Sequence, residues 1–304
     1  MDIRYGGIKG KLTPGHRELK NFQDIRTHFS VEDPNKWAAK SFREGWWDGR
    51  HYVISKDGVF LRGLSPLILK YAQSKNVSIS EINPHPSIAH RRLTEDLIQQ
   101  ADTETLSEII LQPHQRRMVR SLLQRGGGTV EGVTGCGKTE SILLLMKILS
   151  SKVSRMIVLV HRSGLMEQSY RRFTVRCPEL ASLAGMLGDG KRPEESDRVV
   201  FCTYQSLKSA LDRKNPIVQD LYKNIGAVII DECHNVSQPS YIKTIEKIPM
   251  SCMVYQFSGT PETNDQIRDW TIVGVGGEIC ERVRRSELES TGFIAYSVAF
   301  LREF

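Results

Sequence analysis

"GGTVEGVTGCGKTESILLLMKIL", residues 127–149, decides the fold of this chain. A short apolar strand pattern runs into a glycine-rich loop, and an apolar helical pattern follows at once. The loop matches G-x-x-x-x-G-K-[ST] at every required position, namely Gly132, Gly137, Lys138 and Thr139. A strand, a phosphate loop and a helix in this order predict a nucleotide-binding α/β domain.

The composition of the loop predicts how it holds ATP. Glycines let backbone N–H groups turn toward phosphates, and the start of the helix adds partial positive charge. Lys138 is predicted to reach the β and γ phosphates, and the Thr139 hydroxyl to bind Mg²⁺. A thiol in this loop should be alkylated in the free protein and shielded by Mg-ATP. The predicted nucleotide-binding residues are Gly132, Thr134, Gly135, Cys136, Gly137, Lys138, Thr139 and Glu140.

A second candidate element is "AVIIDECH", residues 227–234, where an apolar strand ends in two carboxylates. A carboxylate at the end of a strand beside a phosphate loop can hold Mg²⁺, and the next one can orient and deprotonate the attacking water. Asp231 is therefore the predicted metal residue and Glu232 the predicted base, and with Lys138 they form the predicted catalytic set. His234 is expected to couple this site to the rest of the protein.

The apolar runs after residue 89 alternate with helical patterns, which is typical of a parallel sheet covered by helices on both faces. Residues 89–304 are thus predicted to be one α/β domain. The "NPHPS" stretch at 83–87 is interpreted as a linker, and residues 1–88 as a small α+β module with a hairpin at Lys56–Gly58. Residues 1–90 hold 14 Lys/Arg against 9 Asp/Glu. That excess favours a polyanionic partner, although a solubilising surface explains it equally well.

Composition argues against several classes of protein. The 304 residues contain no run approaching the roughly 18 apolar residues of a membrane span, and the first residues lack a secretory signal. The six cysteines include no CxxC pair, so we expect a reducing compartment and no structural zinc. These features predict a cytoplasmic protein without a membrane partner.

Four further stretches accompany the phosphate loop and "DECH" in a fixed order: "LQPHQRRMV" (111–119), "VLVHRSGLMEQ" (158–168), "VVFCTYQSL" (199–207) and "FSGTP" (257–261). Together the six resemble the motifs of superfamily 2 helicases of the DEAH-like branch. The resemblance implies a RecA-like P-loop domain that uses ATP and Mg²⁺, with Gln115 on the adenine side. It also implies that Ser258, Gly259 and Thr260 couple the nucleotide to nucleic acid, together with His234.

Helicases of this kind track one strand through its phosphates, because a motor must work on any sequence. Polar residues that follow two of the predicted strands are the candidates for this contact. Tyr204 could instead be a packing residue. The predicted nucleic-acid residues of the larger domain are His161, Arg162, Gln168, Thr203, Tyr204 and Gln205.

The stretch "FREGWWDGRHYVI", residues 42–54, resembles the small module that precedes the motor in UvsW-type phage helicases. This implies branched DNA as the substrate, handled by fork regression or branch migration, and host cytoplasm for a viral protein. Arg50 is the predicted phosphate contact, beside Trp46, Trp47, His51 and Tyr52. Alternation along a strand would place one of the two adjacent tryptophans in the core.

The second RecA-like domain of such motors carries a Q-x-x-G-R-x-x-R-like motif, which these residues lack. We therefore expect a second domain or a separate chain as a partner, and poor hydrolysis of ATP by these residues alone. Two other functions stay open: a nucleotide-gated DNA-binding half-motor without turnover, and an RNA helicase. The run "RVRRSE" (282–287) could bind phosphate or form a solvated face.

Overall fold

The N-terminal part is a small α+β module, as predicted. The computed structural model describes residues 1–82, 95–246, 248–249 and 251–295. Strands β1 (Asp2–Gly6), β2 (Lys9–Thr13), β5 (Val59–Leu61) and β6 (Ser80–Ile82) form one sheet in the order β5-β2-β1-β6. A separate antiparallel pair is made by β3 (Ser30–Glu32) and β4 (Arg50–Tyr52). The helices are α1 (Leu19–His28), α2 (Lys40–Arg43) and α3 (Ser65–Ser74).

The predicted hairpin at Lys56–Gly58 is wrong. A turn does form there, with the amide of Ser55 donating to the carbonyl of Val59 at 2.8 Å. The flanking strands nevertheless enter different sheets, because β4 pairs with β3 and β5 pairs with β2. Gly58 lies so close to the carbonyl oxygen of Leu12 that a Cβ would be 2.0 Å from it. The turn is therefore fixed against β2 and directs β5 away from β4.

The larger domain is built on a sheet that is parallel throughout the described residues. Its strand order is β13-β7-β12-β11-β8-β10-β9. The sequence predicted every one of these strands except β13, whose "ICERV" reads as charged rather than apolar. The strands are β7 (Gly128–Gly132), β8 (Met156–Val160), β9 (Ala184–Leu187), β10 (Val199–Thr203), β11 (Ala227–Asp231), β12 (Met253–Ser258) and β13 (Ile279–Val283).

Helices cover both faces of this sheet, and the predicted RecA-like α/β class is confirmed. Central strands such as β8 and β10 are buried at every position, because helices exclude water from both sides. The helices are α4 (Glu95–Thr103), α5 (Pro113–Arg125), α6 (Lys138–Leu149), α7 (Ser163–Arg176), α8 (Tyr204–Asp212), α9 (Pro216–Lys223), α10 (Pro239–Ile245), α11 (Gln266–Gly276) and α12 (Arg285–Ser290). The predicted linker at 83–87 lies outside the described residues.

The module and the larger domain meet along helix α11. A Cβ on Gly63 would lie 2.2 Å from the carbonyl oxygen of Val273, so the two backbones touch there. The ring of Phe29 packs on Trp270 with 5.6 Å between centroids. The guanidinium of Arg62, which is 3% exposed, donates to the carbonyls of Gly7 and Cys252. These contacts dock the module directly on the helix that follows β12.

Candidate nucleotide and nucleic-acid site

The phosphate loop lies between the end of β7 and the start of α6, as the motif predicts. Gly137 precedes the first residue of the helix with φ +80°. A Cβ there would lie 1.9 Å from the side-chain Nε2 atom of Gln115. Only glycine fits this conformation and this distance. The Lys138 ammonium donates to the carbonyl of Gly132 at 2.8 Å, which folds the side chain back over the loop. Thr134 and Gly135 at the tip of the loop are exposed.

Helix α5 supports the phosphate loop from below through two neighbouring side chains. Gln115 is 3% exposed, and its carbonyl oxygen accepts from the amide of Gln112 at 2.8 Å. His114 was missed by sequence reasoning, although it directly precedes the expected glutamine. Its Nε2 donates to the carbonyl of Cys136 at 2.9 Å, and the ring is 6% exposed. His114 therefore holds the loop through a hydrogen bond, and Gln115 packs beside Gly137. Adenine contact by Gln115 stays a prediction.

The expected reactivity of Cys136 is not supported by its placement. The residue is 0% exposed and belongs to the main hydrophobic core. Burial raises the pKa of its thiol, an effect that the nearby Lys138 only partly opposes. Since the thiolate is the reactive form, this cysteine is a core residue beneath the loop and not an exposed probe of it.

Strand β11 brings the two predicted carboxylates to the same edge as the phosphate loop. Burial and then the neighbouring Glu232 raise the pKa of Asp231, while the charges of Lys138 and His161 lower it. A carboxylate held where burial disfavours its charge is suited to a cation. Glu232 has a left-handed backbone with φ +54°, a strained conformation for this residue that is common at functional sites.

These residues fit a magnesium ion that arrives with a nucleotide. Across the described ranges, no group of three or more His, Cys, Asp and Glu side chains could hold a metal ion by itself. Mg²⁺ is usually held by one or two protein oxygens together with phosphate oxygens and water. Asp231 and Thr139 can supply such oxygens, so the donor set fits Mg-ATP better than a resident metal.

A polar network joins the "DECH" segment to the loop after β12. The Nδ1 atom of His234 lies 3.2 Å from the Ser258 hydroxyl and 3.3 Å from a Glu232 carboxylate oxygen. The amide of Thr260 donates to the same hydroxyl at 3.1 Å. A Cβ on Gly259 would lie 3.8 Å from the Lys138 ammonium nitrogen. The structure thus brings the predicted coupling residues together beside the phosphate loop, and we call this whole region the nucleotide edge.

The predicted nucleic-acid residues after β8 and β10 divide into two groups. Arg162, Gln168 and Gln205 are exposed and remain candidates. Thr203 is 7% exposed, and its hydroxyl accepts from the amide of Ser206 to cap α8, so its contact with nucleic acid stays a prediction. Tyr204 is partly committed to packing, with its ring 5.0 Å from that of Tyr241.

His161, which directly follows β8, lies close enough to the predicted metal residue Asp231 to affect it electrostatically. Its charge acts on the pKa of Asp231, and its Nδ1 atom is buried. Within the part of the chain that the structure describes, this atom has no hydrogen-bond partner.

Arg50 in the module has hydrogen-bond partners on strand β3. Its guanidinium donates to the Ser30 hydroxyl at 2.8 Å and to the Ser30 carbonyl at 3.3 Å, and it lies 3.7 Å from a Glu32 oxygen. The side chain therefore braces strand β3 against β4. The Arg50 side chain is still 29% exposed, so its contact with phosphate stays a prediction.

Two tryptophans of the module are largely exposed. Trp46 is 77% exposed and Trp37, which sequence reasoning missed, is 70% exposed. Trp47 is half-buried instead, and its indole donates to the carbonyl of Arg50 at 2.9 Å. The two adjacent tryptophans lie in a turn and not on a strand, so their different burial comes from local packing. Lys40 and Arg43 are exposed on the intervening helix, and we call these four residues, Trp37, Lys40, Arg43 and Trp46, the aromatic face.

Comparisons with known proteins agree with this geometry. The family "Type III restriction enzyme, res subunit" matches residues 108–263. The chain is 31% identical over 256 residues to "Replication restart protein PriA" of Haemophilus influenzae, covering 78% of this chain and 32% of that protein. It is 26% identical over 160 residues to "ATP-dependent DNA helicase Hel308" of Aeropyrum pernix, covering 50% and 21%. The chain therefore spans about a fifth to a third of the length of these relatives.

A solved structure shows the same fold. The UvsW helicase from bacteriophage T4 is similar with a TM-score of 0.73 and 19% identity, over 92% of this chain and 100% of that chain. No helix in the described ranges has the length and apolar character needed to cross a membrane. Because the matched family covers just over half of the chain and its motifs converge at one edge of the sheet, this chain belongs to the "Type III restriction enzyme, res subunit" helicase family, and its described residues hold an N-terminal module and one RecA-like domain.

Proposed function

We propose that this chain contains the first motor domain and the accessory module of an ATP-dependent DNA helicase or translocase. The observation that carries the proposal is the meeting of three segments at the nucleotide edge. Lys138 folds over the phosphate loop, the charge of that lysine acts on Asp231, and Gly259 lies beside its ammonium group. This arrangement lets the bound phosphate affect the loop that follows β12.

The nucleotide would be held and hydrolysed by groups with separate roles. Lys138 would neutralise the β and γ phosphates, while Thr139 and Asp231 would hold Mg²⁺. Bound Mg²⁺ would stabilise the charge that develops on the transferred phosphoryl group. Glu232, whose carboxylate lies 3.3 Å from His234, would orient the attacking water and accept its proton.

Coupling to DNA would run through the polar network of the nucleotide edge. His234 and Thr260 both contact the Ser258 hydroxyl, so a shift of Glu232 during hydrolysis changes the contacts of the loop after β12. That loop leads into helix α11, on which the module docks. The path connects the phosphates to the proposed DNA-binding surfaces on both domains.

DNA would be bound in two ways. Arg162, Gln168 and Gln205 would contact the phosphates of one strand at the carboxyl ends of β8 and β10. Residues 1–88 would serve as the accessory DNA-binding module, with Trp37 and Trp46 stacking on unpaired bases. Unpaired bases beside a duplex occur at forks and junctions, which favours branched DNA and roles in recombination and repair.

Full turnover would need a second RecA-like domain, either later in the same polypeptide or in a separate chain. An arginine from such a domain is worth roughly 10³–10⁵ in rate in phosphoryl-transfer enzymes. We therefore expect this chain to bind Mg-ATP and to hydrolyse it slowly by itself.

The test is steady-state ATP hydrolysis, with and without forked DNA, by this chain and by a longer protein that adds a second motor domain. We expect DNA-stimulated hydrolysis only in the longer protein, and Glu232→Gln should reduce it at least about 100-fold while leaving the Kd for ATP within about twofold. Unchanged turnover in Glu232→Gln would contradict the assignment of the base.

Two further outcomes separate the alternative functions. If ATP changes the affinity of the chain for forked DNA but the longer protein shows no DNA-stimulated hydrolysis, the chain acts as a nucleotide-gated DNA-binding half-motor without turnover. If matched RNA forks compete better than DNA forks, 2′-hydroxyl contacts are being used and the substrate is RNA.

A further inference from the structure

Strand β13 carries a charged clamp on the loop that follows β12. The guanidinium of Arg282 binds both carboxylate oxygens of Glu262, at 2.9 Å each. The same group also contacts the carboxylate of Glu131, on the neighbouring strand β7. The run "RVRRSE" therefore begins with an internally paired arginine and not with a free phosphate-binding side chain.

The geometry of this clamp should make it more stabilising than a typical surface ion pair. Isolated exposed pairs contribute little, but bidentate pairs and charge networks are exceptions. The Arg282 side chain is 39% exposed, and the Glu131 side chain is 28% exposed. One planar guanidinium joins carboxylates from two separate segments, which a lysine could not do with the same geometry.

The clamp connects two parts of the nucleotide edge. Glu131 lies in register between Ser258 on β12 and Arg282 on β13, and it directly precedes Gly132, whose carbonyl accepts from Lys138. Glu262 follows the loop residues Gly259 and Thr260. Arg282 thus joins the strand before the phosphate loop to the far end of residues 259–262, which we call the coupling loop.

The other side of the same strand is fixed to helix α5. Glu281 accepts from Arg117 at 2.9 Å and from the Ser121 hydroxyl at 3.2 Å. Arg117 also donates to Glu287 on α12 at 2.7 Å. Helix α5 also carries His114, which holds the phosphate loop. One side of β13 is therefore fixed to α5 through Glu281, and Arg282 on the other side binds Glu262.

A second side chain holds the end of the coupling loop. Asp269 on α11 accepts from the amide of Thr263 at 2.7 Å and from its hydroxyl at 2.9 Å. Arg282 on β13 and Asp269 on α11 therefore hold the adjacent residues Glu262 and Thr263. Residues 259–262 are thus held at one end by these contacts and at the other by Ser258, which accepts from the amide of Thr260.

We propose that Arg282 is a positioning residue that holds the loop at 259–262 against strand β7, so that the state of the phosphate loop is transmitted to that loop. The assignment rests on the proposed function, because it names a residue that this coupling requires. Within the described ranges, the hydrogen bonds of the Arg282 side chain go to Glu131 and Glu262, and neither is a predicted nucleotide or DNA residue.

The first test is hydrogen–deuterium exchange of the ligand-free chain. Arg282→Gln should speed exchange of the amides of Thr260 and Thr263 by about fivefold, and Arg282→Lys should give an intermediate rate. Arg284→Gln is the matched control, because it removes the same charge from an exposed side chain two residues later. Equal exchange in Arg282→Gln and the wild type would overturn the clamp, whatever the activity of the protein.

The second test measures the factor by which ATP changes the Kd for forked DNA. Arg282→Gln should reduce this factor by at least about threefold while the Kd for ATP stays within about twofold, whereas a purely structural defect would weaken both. Arg282→Lys should recover part of the response. A wild-type response in Arg282→Gln would refute the transmission role, and absence of any ATP response in the wild type would contradict the proposed function while the exchange result still decides the clamp.

Discussion

The nucleotide edge and the aromatic face are built in opposite ways. At the nucleotide edge, polar groups are already held by the protein: Lys138 binds the loop carbonyl of Gly132, and His234 contacts Ser258. On the aromatic face, two indole rings are more than two-thirds exposed, although that of Trp37 packs edge-on against Phe42.

This difference follows from what each surface is proposed to bind. A phosphate group is recognised by charges and dipoles that must be in place before it arrives. A base can stack on any exposed ring, so a surface for unpaired bases needs apolar area and tolerance more than fixed geometry. Substitutions at the nucleotide edge should therefore weaken ATP binding strongly and specifically. Substitutions on the aromatic face should weaken DNA binding by smaller steps.

The largest effect is expected for Lys138→Ala. Removal of the ammonium group leaves the β and γ phosphates without their principal cation, so the Kd for Mg-ATP should rise at least about 100-fold. Titration of the chain with a fluorescent ATP analogue measures this change. Lys152→Ala, which removes an exposed lysine just after α6, should bind the analogue like the wild type.

DNA affinity of Lys138→Ala in the absence of nucleotide should stay near the wild-type value. A large loss there would show that the two surfaces are not separate. In that case the contrast between the nucleotide edge and the aromatic face would have to be abandoned.

A smaller effect is expected on the aromatic face. Trp46→Ala and Trp37→Ala should each weaken binding of a forked DNA with unpaired arms by about 1–3 kcal/mol, because each removes one stacking platform. Fluorescence anisotropy of labelled forks measures the change, with blunt duplex as the comparison. The Kd for ATP should not move in either variant.

Trp47→Ala serves as the contrasting variant on the same turn. Its indole donates to the Arg50 carbonyl and its ring lies 5.3 Å from that of His51, so its loss should lower the Tm. If Trp46→Ala lowered the Tm as much and left DNA affinity unchanged, the aromatic face would be a structural feature.

Local pattern was enough to predict which segments meet at the nucleotide edge, while the roles of their residues stay predictions. The loop needs a positive φ at Gly137, Lys138 follows it directly, and Asp231 ends an apolar strand, so each has a recognisable place in the sequence. His114 carried no comparable signal, since its contact with the Cys136 carbonyl depends on how α5 packs. Strand β13 was missed because its outward residues are paired charges.

The module was harder to predict because its contacts join distant parts of the chain. Arg50 donates to the Ser30 hydroxyl, and the backbone of Gly58 packs against the carbonyl of Leu12. Neither partner is a sequence neighbour. Trp37 gave no sign of exposure, since the exposure of a ring is decided by tertiary packing. Local pattern therefore identified the helices and strands of the module except β3 and α2, but neither its strand pairing nor its surface.

A moderate effect on both regions is expected from Gly63→Ala, which alters the joint between them. The added methyl would meet the Val273 and Gly274 carbonyl oxygens at 2.2 and 2.8 Å, so the module must shift on α11. We expect a loss of about 1–3 kcal/mol of stability. Thermal unfolding measures it, and Gly164→Ala on α7, where a methyl meets nothing within 4 Å, should be neutral or slightly stabilising.

The joint also offers a direct check of coupling. If the module acts with the motor domain, Gly63→Ala should reduce the effect of ATP on DNA affinity more than it reduces either affinity alone. Equal responses in Gly63→Ala and Gly164→Ala would show that the docked module is a passive neighbour of the motor.

The smallest effect is expected for thiol modification of Cys136. The residue is 0% exposed and burial raises the pKa of its thiol, so little thiolate is present at neutral pH and reagents must wait for local opening. Alkylation should therefore be slow in the free chain, and mass spectrometry of peptides spanning the loop can follow it against denatured protein. ATP should slow it further only by stabilising the folded loop, in proportion to the gain in stability. Rapid alkylation of the free chain would mean that the phosphate loop opens readily. That result would contradict the conclusion that the nucleotide edge is preformed.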